Sequence, residues 1–257
     1  MRQLSVSVII PAFNEANTIN LCLESLRRQT DLPVEILVVD DGSTDTTAQV
    51  VEQFNQGYKR VRLLSQPHLG PAKARNLAAR QARGKVLVFV DADMEFSPDF
   101  LLALTQPIFN GQSRGSWSGE EWVKNWDNVW ARCWNFNQGR LTASMIGNQG
   151  QKRVFRAVLR SEFLRVGGFD SIGYTDDWTL VNKLGYQPKP TRAKFFHHNP
   201  GTLNAAFSQA YWIGKRQYKQ GKLGTIITLV KFNPFFSLIV IFRIGINDFT
   251  CGNLAQS

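Results

Sequence analysis

Two apolar runs that end in carboxylates constrain this chain more than anything else in it. Val86-Leu87-Val88-Phe89-Val90 leads straight into Asp91-Ala92-Asp93, and Ile36-Leu37-Val38-Val39 leads into Asp40-Asp41. Short runs of this composition read as strands buried on both faces. A carboxylate is costly inside such a layer unless it is paired, so each acidic pair belongs at its strand's exit. In open α/β sheets, ligands gather in the crevice beyond those carboxyl ends. Two acidic pairs there point to a divalent metal ion and a phosphorylated ligand.

The same alternation continues on both sides. Val6-Ser7-Val8-Ile9-Ile10 is a strand stopped by Pro11, and Ala16 to Arg28 carries Ile19, Cys22, Leu23 and Leu26 at helical spacing. After the second strand, Asp41-Gly42-Ser43 is a turn and Thr44-Asp45 caps a helix through Val50, Val51 and Phe54. Val61 to Leu64 gives a third strand, and Pro71 to Arg83 a basic, alanine-rich helix broken by Gly84. Strands alternating with helices imply a mostly parallel sheet in a three-layer α/β domain.

Beyond Leu104 the regularity ends. Ser118-Gly119-Glu120-Glu121 matches a capping box, and Trp122, Trp126, Trp130 and Trp134 follow at four-residue steps. On a helix those tryptophans share one face, read first as packing on the sheet and second as a platform for sugar rings or a lipid. Farther on, Trp212, Lys215, Arg216, Tyr218, Lys219 and Lys222 mix aromatics with bases, and Leu223 to Ile246 is apolar but interrupted by Lys231, Asn233, Pro234 and Arg243. A spanning helix needs about 20 apolar residues, more than the clean run from Pro234 to Phe242 supplies. Residues 201–257 are therefore expected to form an amphipathic helical segment in the interface of an anionic membrane. Packing on the protein's own surface or on a second subunit is the alternative. Residues 1–200 are assigned to the α/β domain.

Thirty Lys plus Arg against twenty Asp plus Glu give a net charge of +10, which calls for an anionic partner. Nucleic acid is set aside, because no recognition motif accompanies the charge and a phosphate site accounts for it equally well. Cys22, Cys133 and Cys251 show neither zinc spacing nor a disulfide framework, and Met1-Arg2-Gln3-Leu4 opens no cleavable signal. A cytoplasmic protein, peripheral at the inner face of the cell membrane, is the expectation.

Five motifs now stand in order: Pro11-Ala12-Phe13-Asn14-Glu15, Asp40-Asp41-Gly42-Ser43-Thr44-Asp45, Asp91-Ala92-Asp93, Gly167-Gly168-Phe169-Asp170 and Thr175-Asp176-Asp177-Trp178. Their order and spacing over about residues 4–220 resemble the family 2 glycosyltransferases, inverting enzymes of GT-A fold with a DxD motif. The resemblance implies transfer of a sugar from a nucleotide-diphosphate donor, UDP-linked in the first instance, to an acceptor hydroxyl on a lipid-linked or cell-surface glycan. A non-catalytic sugar-nucleotide or glycan-binding module of the same fold is the alternative. A nucleotidyltransferase would need a Gly-rich basic loop after the first strand, and Pro11 to Glu15 is not one.

The resemblance also assigns residues. Pro11, Ala12, Phe13 and Glu15 lie at the first strand-to-helix turn, where base and ribose bind, and Asp41 would accept a pyrimidine-type ring N–H. Asp40 would support its turn, and Asp45 is read as a helix cap. Arg75 would approach the donor diphosphate, with Lys73 as a second candidate. In Asp91-Ala92-Asp93, Asp93 would bind Mg²⁺ or Mn²⁺ directly and Asp91 would contact ribose or metal-bound water, with His198 as a further ligand or phosphate contact. Asp177 would be the general base, Asp176 a helper or helix cap where the family usually has Glu, and Trp178 an acceptor-stacking residue or a buried one.

Overall fold

Parallel pairing builds the first half of the sheet. The computed structural model describes residues 3–137, 140, 142–146, 153–171 and 176–214. In chain order these form β1 (Gln3–Ala12), α1 (Ile19–Arg27), β2 (Leu32–Asp40), α2 (Thr47–Gly57), β3 (Val61–Ser65), α3 (Pro71–Gln81) and β4 (Val86–Phe89). There follow β5 (Met94–Phe96), α4 (Phe100–Phe109), β6 (Gly115–Val123), α5 (Val129–Asn137), β7 (Ser144–Ile146) and β8 (Ala157–Leu159). The described chain closes with α6 (Arg160–Arg165), α7 (Asp176–Leu184), β9 (Lys189–His197) and α8 (Leu203–Gly214).

β1 pairs in parallel with β2 and β4, and β2 with β3. The expectation of a mostly parallel sheet needs correcting beyond that point. β8 runs antiparallel to β4 and β6, β7 to β6, and β5 to β9, giving the order β3-β2-β1-β4-β8-β6-β9-β5 with β7 attached to β6. Parallel neighbours require a helical crossover, which the βαβ units up to β4 supply. Later strands are short and reach partners of opposite direction, so the sheet is mixed.

Successive side chains of the central strands face opposite layers, as pleating demands. Val6, Val8 and Ile10 pack with Leu23 and Leu26 of α1 and with Phe100, Leu101 and Leu104 of α4. Ile9, Leu37, Val39 and Leu87 face the other way, against Ala72, Ala74, Ala78 and Ala79 of α3 and Phe163, Phe169 and Leu180. The alanines explain the weak apolar pattern of α3: small side chains let the helix backbone lie close on the sheet. Burying each large aliphatic side chain contributes about 1.5–3 kcal/mol, so these two layers carry the fold.

The tryptophan helix is also corrected. Ser118 to Glu121 and Trp122 lie in β6, Trp126 lies in the turn after it, and only Trp130 and Trp134 share α5. The Ser118 hydroxyl donates to the Ala193 carbonyl of β9 instead of capping a helix. The platform reading of that stripe falls with it.

The described residues belong to two compact units, one of residues 1–122 and 144–197 and the other of residues 123–143 and 198–257. In the second, Asn125 Nδ2 donates to the Asn199 carbonyl and its Oδ1 accepts from the Asn199 amide, and Asn128 Nδ2 donates to the Gly201 carbonyl. Cys22 and Cys133 are buried free thiols. Among the described residues no helix is long and apolar enough to cross a membrane. The expected amphipathic segment from Lys215 onward, the side chain of Trp212 and Cys251 lie outside the described residues.

Candidate active site

The site begins where β1 and β2 end. The Asp41 amide donates to the Ala12 carbonyl at 2.8 Å, continuing the ladder past the strands. Asn14 adopts φ 57°, a left-handed turn that asparagine tolerates. Its amide donates to Ser43 Oγ at 2.9 Å and its Oδ1 accepts from the Thr44 amide at 2.8 Å. Asp45 accepts from the amides of Thr47 and Ala16, and Asp40 from the Ser43 amide, so both acids act as the turn and cap residues expected of them. These bonds fasten the Pro11–Glu15 loop to the loop after β2.

Asp41 is almost wholly buried, and its carboxylate holds the loop before α3. Oδ1 accepts from Gln66 Nε2 at 2.6 Å and the Leu69 amide at 2.9 Å; Oδ2 accepts from the Gly70 amide at 3.0 Å and meets His68 Nδ1 at 2.9 Å. That uses the ordinary capacity of a carboxylate. The His68 ring stacks on Phe13 at 4.0 Å, and Phe13 is 39% exposed, so an aromatic surface lies open beside Asp41.

Helix α3 starts at Pro71, whose missing N–H costs nothing at that position. One turn later it delivers Arg75, only 5% exposed. Nη1 donates to Asp177 Oδ1 and Nη2 to Asp91 Oδ1, both at 2.7 Å. Arg156, just before β8, donates to the other oxygen of Asp91 at 3.2 Å. Burial alone would raise the Asp91 pKa, but the Arg156 and Arg75 guanidiniums hold it far below the usual carboxylate range. Asp91 is thus a fixed anion between two cations.

Asp93 is different. Its Oδ1 is buried and accepts no hydrogen bond, while His197 Nε2 stands 3.7 Å from it. Burial raises the Asp93 pKa, the nearby Asp91 charge adds to this, and His197 opposes it. Glu15 feels the same crowding: burial and then the Asp93 charge push it up to about 7, against a hydrogen bond from Thr18. His197 Nδ1 lies 3.0 Å from Glu121 Oε1 on β6. An unpaired buried carboxylate oxygen facing an imidazole nitrogen across a gap wider than a hydrogen bond is a donor pair suited to a divalent cation. No compact group of three or more acidic, His or Cys ligands occurs among the described residues, so other positions around such an ion would fall to phosphate and water.

Asp177 stands in the first turn of α7, whose position is fixed from α3. Asn76, next to Arg75, donates through Nδ2 to the Phe169 carbonyl at 2.8 Å and accepts from the Phe169 amide at 3.0 Å. The Asp170 amide donates to Thr179 Oγ1, and Lys183 Nζ donates to the Gly168 carbonyl and to Asp170 Oδ1. Gly168 has φ 74°, and a Cβ there would lie 2.3 Å from Asn76 Oδ1. The Gly167–Gly168 turn, with both residues at positive φ, is therefore a fitted joint. Trp178 is 37% exposed, so part of its surface is open to solvent. The Asp176 side chain and Thr175 lie outside the described residues.

The fold unites Asp91, Asp93, Arg75, Glu15 and Asp177 in one unit. His198 begins the second unit, and His197 is the histidine beside Asp93. Strand parity carries the signal: Ala193 and Phe195 are buried, so two-residue periodicity puts residue 197 on their face. Arg156, Asn76, Lys183 and Glu121 had no sequence signal of comparable kind, because each acquires its role from a partner far away in the chain.

Residues 7–158 match the domain described as Glycosyl transferase family 2. The chain belongs to that family. YibD of Escherichia coli K12, an uncharacterized glycosyltransferase, is 35% identical over 129 residues, 48% of this chain and 38% of its own length. The chain spans well under half the length of the first curated relatives it matches. Among solved structures, the mannosyltransferase PcManGT of Pyrobaculum calidifontis, in complex with GDP-Man and Mn²⁺, superposes with TM-score 0.59 at 19% identity, covering 100% of this chain and 82% of that one. Staphylococcus aureus TarS 1–349 in complex with UDP-GlcNAc gives TM-score 0.57 at 18% identity, covering 95% and 73%. The fold of this family 2 domain is GT-A-like, with a mixed sheet between helices.

Proposed function

We propose that this chain transfers a sugar from a nucleotide-diphosphate donor, UDP-linked in the first instance, to an acceptor hydroxyl with inversion at the anomeric carbon. One observation carries the reading: Arg75 holds Asp177 and Asp91 at 2.7 Å each, joining the α7 carboxylate to the Asp91-Ala92-Asp93 strand end. Family membership and neighbours bound to UDP-GlcNAc or to GDP-Man and Mn²⁺ support it.

Asp177 accepts the acceptor hydroxyl proton as the new C–O bond forms. The bond from the anomeric carbon to the diphosphate oxygen breaks on the opposite face, and its electron pair leaves with the nucleotide. Arg75 and Arg156 supply cationic charge beside that leaving group, while Phe13 and His68 flank the base. Asp93 and His197 would hold Mg²⁺ or Mn²⁺, which when bound stabilises the charge developing on the diphosphate. Exposed Trp178, adjacent to the base, suits stacking on an acceptor sugar ring.

The acceptor in this reading is a lipid-linked or cell-surface glycan, reached from the cytoplasmic face of a membrane. Bases beside aromatics in residues 212–222 support an anionic membrane surface as partner. Failure to co-sediment with anionic liposomes at low salt, or sedimentation unchanged after deletion of residues 223–257, removes the membrane part alone.

Nucleotide release from a panel of UDP- and GDP-sugars with Mn²⁺ tests the chemistry. Turnover of one donor class is expected, with Asp177→Asn slower by about 10²–10⁴-fold at little change in donor KM. A folded protein that turns over none of them, or full activity in Asp177→Asn, overturns the assignment.

A further inference from the structure

We propose that Glu121 is a positioning residue for the divalent-cation site, fixing the ring of His197 so that Nε2 points toward Asp93. The inference rests on the metal reading of Asp93 and His197 given above and extends it to a residue on another strand. Glu121 Oε1 lies 3.0 Å from His197 Nδ1, and His197 Nε2 lies 3.7 Å from Asp93 Oδ1, so successive contacts connect β6 through the last residue of β9 to Asp93, just before β5. Both partners of the Glu121–His197 contact are largely sheltered, His197 at 19% and Glu121 at 18% side-chain exposure, which separates this contact from a solvated surface pair.

A neutral imidazole has one N–H and one lone pair. A carboxylate at Nδ1 accepts that N–H, and the lone pair is left at Nε2, the atom facing Asp93. Without Glu121 both the tautomer and the ring orientation lose their constraint. The Phe195 ring, edge-on to His197 at 5.4 Å, limits the ring from its apolar side but contributes no acceptor. Because Asp91 is committed to Arg75 and Arg156, the cation site leans on Asp93 and His197, and an orienting partner for one of so few ligands carries corresponding weight. A role confined to strand pairing would not require the carboxylate to meet His197 Nδ1.

Mn²⁺ uptake by the whole chain, read from the loss of the free-ion electron paramagnetic resonance signal with and without UDP, tests this directly. Glu121→Ala and Glu121→Met, the latter keeping bulk without an acceptor, are each expected to weaken Mn²⁺ binding by about 10–100-fold, and Glu121→Gln to recover most of it. His197→Ala should lose at least as much, and adding Glu121→Ala to it should cost nothing further. Wild-type Mn²⁺ affinity in either acceptor-free variant while folded, with His197→Ala weakened, overturns the role of Glu121 alone. Undiminished binding in His197→Ala, or no uptake by the wild-type chain in either condition, overturns the metal reading and this inference with it.

Discussion

Arg75 Nη1 lies 2.7 Å from Asp177 Oδ1 although 102 residues separate them in the chain. The same guanidinium holds Asp91, so a single buried side chain indexes the carboxylate proposed as base against the strand end proposed to carry the donor. Arginine's rigid fork spans two acceptors at once, and a lysine ammonium does not reproduce that geometry. Arg75→Lys is expected to keep the fold and lower kcat for nucleotide release by about 10²-fold, the scale of loss for a small misplacement of a reacting group. Wild-type turnover in that variant would show that the bridge has no part in the reaction.

The joint at Gly167-Gly168 separates backbone strain from steric fit. Both glycines have left-handed φ, 76° and 74°, but a Cβ on Gly167 meets open space while one on Gly168 strikes Asn76 Oδ1 at 2.3 Å. Gly167→Ala should therefore cost only the strain of about 1–2 kcal/mol. Gly168→Ala should cost clearly more and disturb the clamp on Phe169. Urea unfolding of the two variants reads the difference, and equal losses would contradict it.

At the opposite end of the sheet Glu35 is 1% exposed and gathers the Ser7 hydroxyl, the Arg83 amide and the Arg62 guanidinium. Burial alone would raise its pKa, but these donors bring it below the ordinary value of 4.5. A depressed folded pKa means that its contribution is complete above about 4.5 and is lost as pH falls further, through the folded value. Arg62 and Arg83 remain partly solvated, so Glu35→Ala should cost roughly 1–3 kcal/mol, for the donors left unpaired, rather than the larger penalty of a stranded buried charge. Denaturation at pH 7 and again below pH 4 checks both points: the variant's deficit should shrink in acid.

Glu15 works in the reverse direction. Its folded pKa of about 7 lies above the ordinary 4.5, so protonation favours the native state. That stabilisation is complete below about pH 4.5 and is lost as pH rises through 7. In the presence of a chelator, Glu15→Gln should gain in Tm over wild type between pH 6 and 8.5, with little gap at pH 5. A gap independent of pH would remove the burial argument.

The parallel half of the fold was legible because Val6, Val8, Ile36 and Val86 sit in runs that only buried strands accept, and α1 and α2 announce themselves by period. β5, β7 and β8 have three residues each, too few for a period, and their direction is set by partners rather than by their own composition. Trp122 and Trp126 misled for a related reason. A spacing of four is one helical turn, but it constrains nothing between the residues, and here the series runs from β6 through a turn into α5. Ser118 and Glu121 matched a cap only because that pattern constrains so few positions.

Asp91, Asp93 and Asp177 stand in ordered motifs and Arg75 is assigned through the resemblance those motifs carry; the structure sets Arg75 between Asp91 and Asp177. The pairing of Asp91 with two arginines was not legible, since Arg156 lies 65 residues farther along the chain and the mixed sheet brings β8 beside β4. The place of His197 beside Asp93 follows from strand parity once β9 is placed.

Calorimetric titration of the intact chain with UDP and with GDP, each with Mn²⁺ and again with chelator, is the most direct test of a metal-assisted nucleotide-sugar site. Binding of one nucleotide is expected, dependent on Mn²⁺ and weakened in Asp93→Ala. Binding that is indifferent to the metal and to Asp93, or no binding of either nucleotide by the folded chain, would contradict it.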